Sequence, residues 1–336
     1  MIRLVVHGFL GTLLLTGGAG VPRAVPQDDP SAARAPLSVD ADAVRVGPVG
    51  RPWLEYCRGT TGLKPHLRSL ITPGGIELLR DGAPGHEHHH GLMLAYGVDD
   101  VDYWGEMYAE VPGREVGRAE STSWIADEAD GSRARIRERV RWVDPRGGRP
   151  QLEERRELEV HPGSSTSPLR LTWRSHLALA PDRERATLWG RPYFGLGLRL
   201  AEPLERVGRF SNSEGAEGVV VRGDERLISA RWCAYTAEVE GRTVTLALFD
   251  HPRNPRHPAR FFTMAEPFAY LSATLDLAER PLELARGETL DLAWGLVAWE
   301  HAVAPEDIEQ TYRAWITTVE PPASAPPRVA SDNKGD

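Results

Sequence analysis

The sequence predicts an all-β, mainly antiparallel fold: a large β-sandwich with one C-terminal helix. Three observations carry this expectation. Apolar and polar residues alternate with period two over several long runs, as in strands with one face in a core. Turn pairs such as Asp130-Gly131, Gly147-Gly148 and Glu240-Gly241 separate the runs, and the 336 residues hold 33 Gly and 27 Pro. Helical periodicity is confined to one late segment.

The elements follow in chain order. Residues 1–24 carry Arg3, an apolar run from Leu4 to Thr16 broken by His7, and the small residues Gly17-Gly18-Ala19-Gly20. A basic start, an apolar stretch and a small-residue tail form the pattern of a secretory signal. The run is shorter than the roughly 20 residues of a membrane span. Cleavage is therefore expected, leaving a periplasmic or extracellular protein that is not inserted in a membrane. Residues 25–42, rich in Pro, Ala and Asp, read as a linker. Ala134, Ile136, Val140 and Trp142 then alternate with Arg135, Arg137, Arg139 and Arg141, and 169–179, 194–200, 244–248 and 290–296 repeat the pattern. The helix starts at Pro305, carries Glu306 and Asp307 in its first turn, and sets Ile308, Tyr312, Trp315 and Ile316 on one face. Residues 321–336 read as a disordered tail. One domain over 43–320 remains, an oversized sandwich rather than two domains.

Composition excludes some functions. A net charge of −8 and a pI near 5.8 lack the basic footprint of a nucleic-acid binder. Lys64 and Lys334 are the only lysines among 40 basic residues, so 40 − 2 = 38 are Arg. That bias reads as codon usage rather than anion recognition. Cys57 and Cys233 read either as a disulfide or as two buried thiols.

The strongest chemical signal is Gly85-His86-Glu87-His88-His89-His90-Gly91, which holds four of the eleven histidines. In an extended segment alternate side chains share a face, so His86, His88 and His90 are expected to project together with His89 opposite. Imidazoles so grouped suit acid/base work or a metal site built on His86, His88 and His90. A solvated turn or a hydrogen-bond hub is the plainer alternative. Glu87 does not make a zinc-binding His-Glu helix, because Pro84, Gly85 and Gly91 bracket the segment too tightly.

A second polar cluster runs from Phe249 to Pro258 directly after the 244–248 strand, with Asp250 beside His251 and with Asn254 and His257 following. Asp250 could set an imidazole tautomer there. Asn212-Ser213-Glu214-Gly215 and Asp102-Tyr103-Trp104-Gly105-Glu106 are further polar and aromatic loops. Trp104, beside polar residues, would suit sugar stacking. His176 lies on the polar side of its strand.

These residues carry a resemblance. The segments 81–92, 210–215 and 230–258 resemble the PmoA-like family of exported bacterial proteins, also labelled methane oxygenase PmoA. They share an Asn-Ser-Glu-Gly turn and an Ala-Arg-Trp to Phe-Asp-His-Pro-x-Asn-Pro-Arg-His-Pro stretch, here Ala230 to Pro258. The likeness extends over roughly 53–315. In the family's histidine motif, Asp-His-Pro-His-His-Arg-Gly, this chain matches His86, His88, His89 and Gly91. Gly85 stands where an Asp is usual, Glu87 where Pro is, and His90 where Arg is, so a role needing that acid falls to Glu87. The family fold is similar to the galactose-mutarotase-like supersandwich, which hosts sugar epimerases, lyases and hydrolases. The label also names an integral membrane oxygenase. With no spanning run beyond the signal, methane oxidation is not expected here.

The expected function is carbohydrate-active enzymology on a small-molecule or oligosaccharide ligand, with no required cofactor. The catalytic candidates are His86, His88, His89, His176, His251, Glu106 and Glu214. Trp104, Arg191, Tyr193, Asn212, Asp250, Asn254 and His257 are the binding candidates. A non-catalytic glycan- or surface-binding protein is the alternative, and a copper-dependent oxidative enzyme follows third from the family label. The enzyme reading requires His88 and His251 to converge in one pocket.

Overall fold

A computed structural model describes residues 37–59, 63–108, 116–130 and 133–319, the side chains of 124–130 excepted. The expected signal and tail, and most of the linker, lie outside the described residues. The end of the linker is ordered into the fold: Leu37–Val39 pairs antiparallel with Ala43–Val46.

The described strands form three sheets. The ten-stranded sheet runs Leu37–Val39, Ala43–Val46, Leu54–Cys57, His66–Leu70, Leu92–Ala95, Gly195–Arg199, Tyr270–Thr274, Arg260–Met264, Glu225–Ser229, Val219–Arg222. The eight-stranded sheet runs Gly208–Asn212, Trp232–Val239, Arg242–Asp250, Thr289–Trp299, Leu169–Leu179, Arg149–His161, Arg133–Asp144, Arg118–Asp130. A four-stranded sheet takes Leu282–Ala285, Arg185–Trp189, Gly97–Val98 and Val101–Asp102. The expected antiparallel β-sandwich with one C-terminal helix is what these elements build.

Register decides which side chains meet. Tyr56, Leu67, Leu92, Leu198 and Leu271 lie abreast and face the eight-stranded sheet, where the Tyr56 ring lies edge-on to Trp173 at 6.5 Å. Tyr96 and Trp142 stack across the same interior. On the other face of the ten-stranded sheet stand His66, Met93 and Gly197, with Arg199 level with Tyr270.

The alternation in Arg149–His161 has an unexpected content. Its inward set is Leu152, Glu154, Arg156, Leu158 and Val160, all buried. Arg156 reaches Glu154 with Nε and Nη2, both at 2.8 Å, and donates from Nη1 to the Tyr56 hydroxyl and the Pro65 carbonyl, each at 3.0 Å. The Tyr56 hydroxyl donates to Glu138. A buried charge survives only when paired and hydrogen-bonded, and this network supplies both conditions between the sheets.

The helix Pro305–Thr318 covers the outer face of the eight-stranded sheet. Ile308, Tyr312 and Trp315 pack on Trp232, Ala247, Phe249 and Val297. A Cβ at Gly295 would sit 2.7 Å from the Trp315 ring, so only glycine lets the indole lie flat on that strand. The indole Nε1 donates to Thr172 Oγ1 at 3.0 Å.

Candidate functional site

The histidine segment is folded as two tight turns, not as an extended strand. His86 N donates to Ala83 O at 2.8 Å, His89 N to His86 O at 2.9 Å, and Gly82 N to His89 O at 3.1 Å. Gly85 takes φ +74°, a region glycine enters without strain. Glu87 Oε1 accepts from Gly85 N at 2.8 Å and stays exposed, so it braces the turn rather than serving the cluster. The turns gather His86, His88 and His89, with ring centroids 4.3 Å apart for His88–His89 and 5.1 Å for His86–His89. His90 is turned away from them. The expected sharing of one face by His86, His88 and His90 fails because a turn rotates successive side chains, where a strand alternates them. A metal site built on those three is not formed.

The three imidazoles open on a pocket of 560 Å³. Trp104, Tyr193 and Phe268 add aromatic walls, and Tyr270, Phe262 and Met264 come from the outward face of the ten-stranded sheet. The turn Arg222–Glu225 and the exposed Glu266 form the rim. Trp104 lies edge-on to His88 at 5.4 Å and to His89 at 5.3 Å, and stacks on Phe194. Burial, then the charge of His86, pulls His88 down to about 4. Burial, then His88, pulls His89 down to about 2. Both rings are neutral near pH 7.

Behind the pocket lies a buried chain of ionisable groups. Glu106 accepts from Lys64 Nζ and lies 3.1 Å from His90 Nε2. His90 Nδ1 is 2.7 Å from Asp81 Oδ1, and His66 Nε2 is 3.2 Å from the same oxygen. Arg68 Nε donates to Asp81 Oδ2 at 3.1 Å. Burial opposes the ionisation of Glu106, but the Lys64 ammonium and the His90 contact outweigh it and bring the carboxyl down to about 2. Burial likewise opposes Asp81, whose carboxyl the His66 and His90 ring edges hold well below the usual range. The acid that serves the histidines is thus Asp81, five residues ahead of His86, and not Glu87.

The expected site residues separate into distinct places. His86, His88, His89, Trp104 and Tyr193 line the pocket, Glu106 stands behind it, and Arg191 flanks the Tyr193 hydroxyl. Asn212 and Glu214 line a second hollow of 580 Å³ beside the start of the helix. His251 packs against Trp315 at 5.6 Å on the helix-covered face of the eight-stranded sheet, and His176 pairs with Asp291 in that sheet. The expected convergence of His88 with His251 does not occur: the pocket and Trp315 lie on outer faces of different sheets, so the enzyme reading that paired these two fails, and acid/base chemistry at the pocket would fall to its own histidines. Asp250 is buried and accepts from His257 Nδ1 at 2.7 Å, Asn254 Nδ2 at 2.6 Å and Ala259 N at 2.8 Å. Asn254 also brackets Ala293 through N and O, each at 2.8 Å. Asp250, Asn254 and His257 therefore knit the loop after the strand. Cys57 and Cys233 are buried free thiols.

Lys64, His66 and Asp81 were missed by sequence reasoning. Lys64 stands out in sequence only as one of two lysines, and the signal for His66 and Asp81 is spatial: His66 on its strand stacks against His90 of the loop, and Asp81 contacts both rings.

Comparison with curated proteins returns no match. Among solved structures the chain is similar to a polysaccharide lyase, at 11% identity and TM-score 0.36 over 82% of this chain and 33% of that one. It is similar to the GH36 α-galactosidase AgaA of Geobacillus stearothermophilus, at 11% identity and TM-score 0.40 over 79% of this chain and 40% of that one. The galactosidase domain of an α-galactosidase-sucrose kinase aligns at 9% identity and TM-score 0.37, over 79% and 40% of the two chains. These neighbours are carbohydrate-active enzymes, and this chain spans 33–40% of their length. Residues 43–313 match the model of DUF6807, a family of unknown function, and the chain belongs to that family. The match corrects the expected PmoA-like assignment, since no PmoA or methane oxygenase family is detected. The copper-oxidase expectation rested on that label and goes with it.

Proposed function

We propose that this member of DUF6807 is an exported carbohydrate-active enzyme that holds a sugar in the histidine pocket and moves protons on it. The observation that carries the proposal is the convergence of three imidazoles and several aromatic rings on one 560 Å³ pocket backed by an ionised carboxylate. Ligand pockets of about 300–1,000 Å³ with apolar walls and a few polar groups are the ordinary form of a small-molecule site. Trp104 and Tyr193 meet the apolar faces of a sugar ring, while the rim carboxylates Asp224 and Glu266 accept hydrogen bonds from its hydroxyls.

His88 is the proton acceptor in this proposal. Burial, His86 and Lys64 keep it neutral near pH 7 and ready to accept, and Glu106 is the neighbour whose charge offsets part of the cost of the imidazolium that forms. Such transfer contributes about 10²–10⁴-fold to rate. His86 and His89 fix the hydroxyls on either side. Epimerisation, β-elimination and glycosidic cleavage all use this step.

The test is a panel of mono- and oligosaccharides, including uronic acids, screened for binding, turnover and crystallographic density. Ligand density between Trp104 and His88 is expected. His88→Gln is expected to reduce turnover by about 100-fold or more while changing affinity only a few-fold. Binding without turnover across the panel would make the protein a glycan-binding module. Density confined to the hollow beside Asn212 and Glu214 would remove the site assignment.

A further inference from the structure

We infer that His66, Asp81 and His90 form a binding site for one divalent transition-metal ion behind the pocket. The three side chains come from separate places: a strand, the start of the histidine loop and its end. One nitrogen from each ring and one Asp81 oxygen lie within 4.8 Å of one another. Two imidazoles and a carboxylate are a donor set for zinc, cobalt or iron(II) rather than for magnesium or calcium.

The outer nitrogens decide the chemistry of the inner ones. His66 Nδ1 donates to the Lys64 carbonyl at 3.0 Å, which leaves Nε2 as a lone pair in the neutral ring. His90 stands between two carboxylates, Nε2 3.1 Å from Glu106 Oε2 and Nδ1 2.7 Å from Asp81 Oδ1, so the neutral tautomer that donates to Glu106 offers Nδ1 to an ion. Metal-bound histidines are oriented by such partners on their far nitrogens, here a backbone carbonyl behind one ring and a carboxylate behind the other. Both inner nitrogens face Asp81 Oδ1, where an ion would take the place of the proton that the 2.7 Å His90–Asp81 hydrogen bond holds without it. His66 is 3% exposed and its Nε2, 3.2 Å from Asp81 Oδ1, has no hydrogen-bond partner. Arg68 holds Asp81 Oδ2, so Oδ1 is the single oxygen left to ligate.

The rings of His66 and His90 stack at 3.9 Å with 16° between their planes. An ion about 2.1 Å from both nitrogens requires that stack to splay, so loading changes the ring environments. The site needs neither the pocket histidines nor a sugar, and its failure leaves the proposed carbohydrate activity standing.

The test uses full-length protein purified without a His tag and stripped with chelator. Titration with Co²⁺ is expected to give one equivalent bound, with visible absorption of a nitrogen- and oxygen-ligated ion, and Zn²⁺ is expected to displace it. Asp81→Asn and His66→Gln are expected to abolish stoichiometric binding, and Glu106→Gln to weaken it by about 10–100-fold. His86→Ala is expected to bind as the parent does. Nitrogen-15 NMR of the unmutated protein separates lost binding from lost fold: Zn²⁺ moves the His66 Nε2 and His90 Nδ1 resonances. No bound Co²⁺, or binding lost in His86→Ala and retained in His66→Gln, overturns the inference. So does a His66 ring carrying protons on both nitrogens and unmoved by Zn²⁺.

Discussion

Replacing Arg156 with Met tests the buried ion network between the sheets. The substitution keeps an unbranched chain of similar length and removes the charge. Glu154 then loses both of its 2.8 Å partners on the guanidinium, and retains the Ser175 hydroxyl at 2.5 Å and the Trp142 indole at 3.0 Å, neither of which carries a charge. Breaking a fully buried pair from one side costs about 3–5 kcal/mol. At roughly 2–4 °C per kcal/mol for a domain of this size, Tm falls by about 6–20 °C. Urea unfolding followed by tryptophan fluorescence measures the loss at pH 7.5. The sign of its pH dependence is fixed. Burial without Arg156 raises the folded-state pKa of Glu154 above its unfolded value. The folded variant then binds the extra proton, so its deficit is largest at neutral pH and shrinks as pH falls toward the unfolded carboxylate pKa. In the double variant Arg156→Met/Glu154→Leu the close pair is gone from both sides and only Glu138, 3.8 Å from the lost guanidinium and held by the Tyr56 hydroxyl, is left without its cation, so part of the loss is recovered. A single variant within about 1 kcal/mol of the parent, or a double variant as unstable as the single, would refute the reasoning.

Three further outcomes are expected. Trp104→Ala, which removes the wall against His88 and His89, weakens sugar binding by about 5–10-fold by calorimetry while near-ultraviolet dichroism of the remaining core persists. His251 is held down to about 4 by burial and then by Arg253 and His257, with Arg174 also facing it. The unfolded chain binds that proton first as pH falls, so His251 contributes stability above about pH 6.5 that is lost between there and pH 4, up to about 3 kcal/mol. His251→Gln should flatten that part of the urea-stability profile, and an unchanged slope would sink the assignment. Burial pushes the Cys57 thiol up to about 12 and Cys233 higher still. Neither should react with a thiol reagent in the native state, and both should react in denaturant. Rapid native labelling would contradict their placement.

Much of the fold is legible along the chain because a strand with one buried face writes its exposure into every second residue. The runs around Trp142, Trp173, Leu198, Leu246 and Trp294 are strands, and the segment opened by Pro305 is the helix. Part of the site is legible too, since His86, His88, His89, Trp104, Tyr193 and Glu106 are close in sequence or stand out in composition. Parity alone misleads at Glu154 and Arg156, which hold inward positions because they satisfy each other.

The sequence by itself determined the sandwich class, the helix and the concentration of imidazoles, all of which are local patterns of solvation. Tertiary structure decided which imidazoles meet. Two turns bring His89 to His86 and send His90 inward, strand pairing sets His66 beneath it, and Asp81 and Glu106 arrive from either side. His251 leaves its strand on the helix-covered face, so its resemblance to a catalytic partner ends there. Contacts between distant segments are fixed by register and turn geometry, and neither is written in the composition of the residues they join.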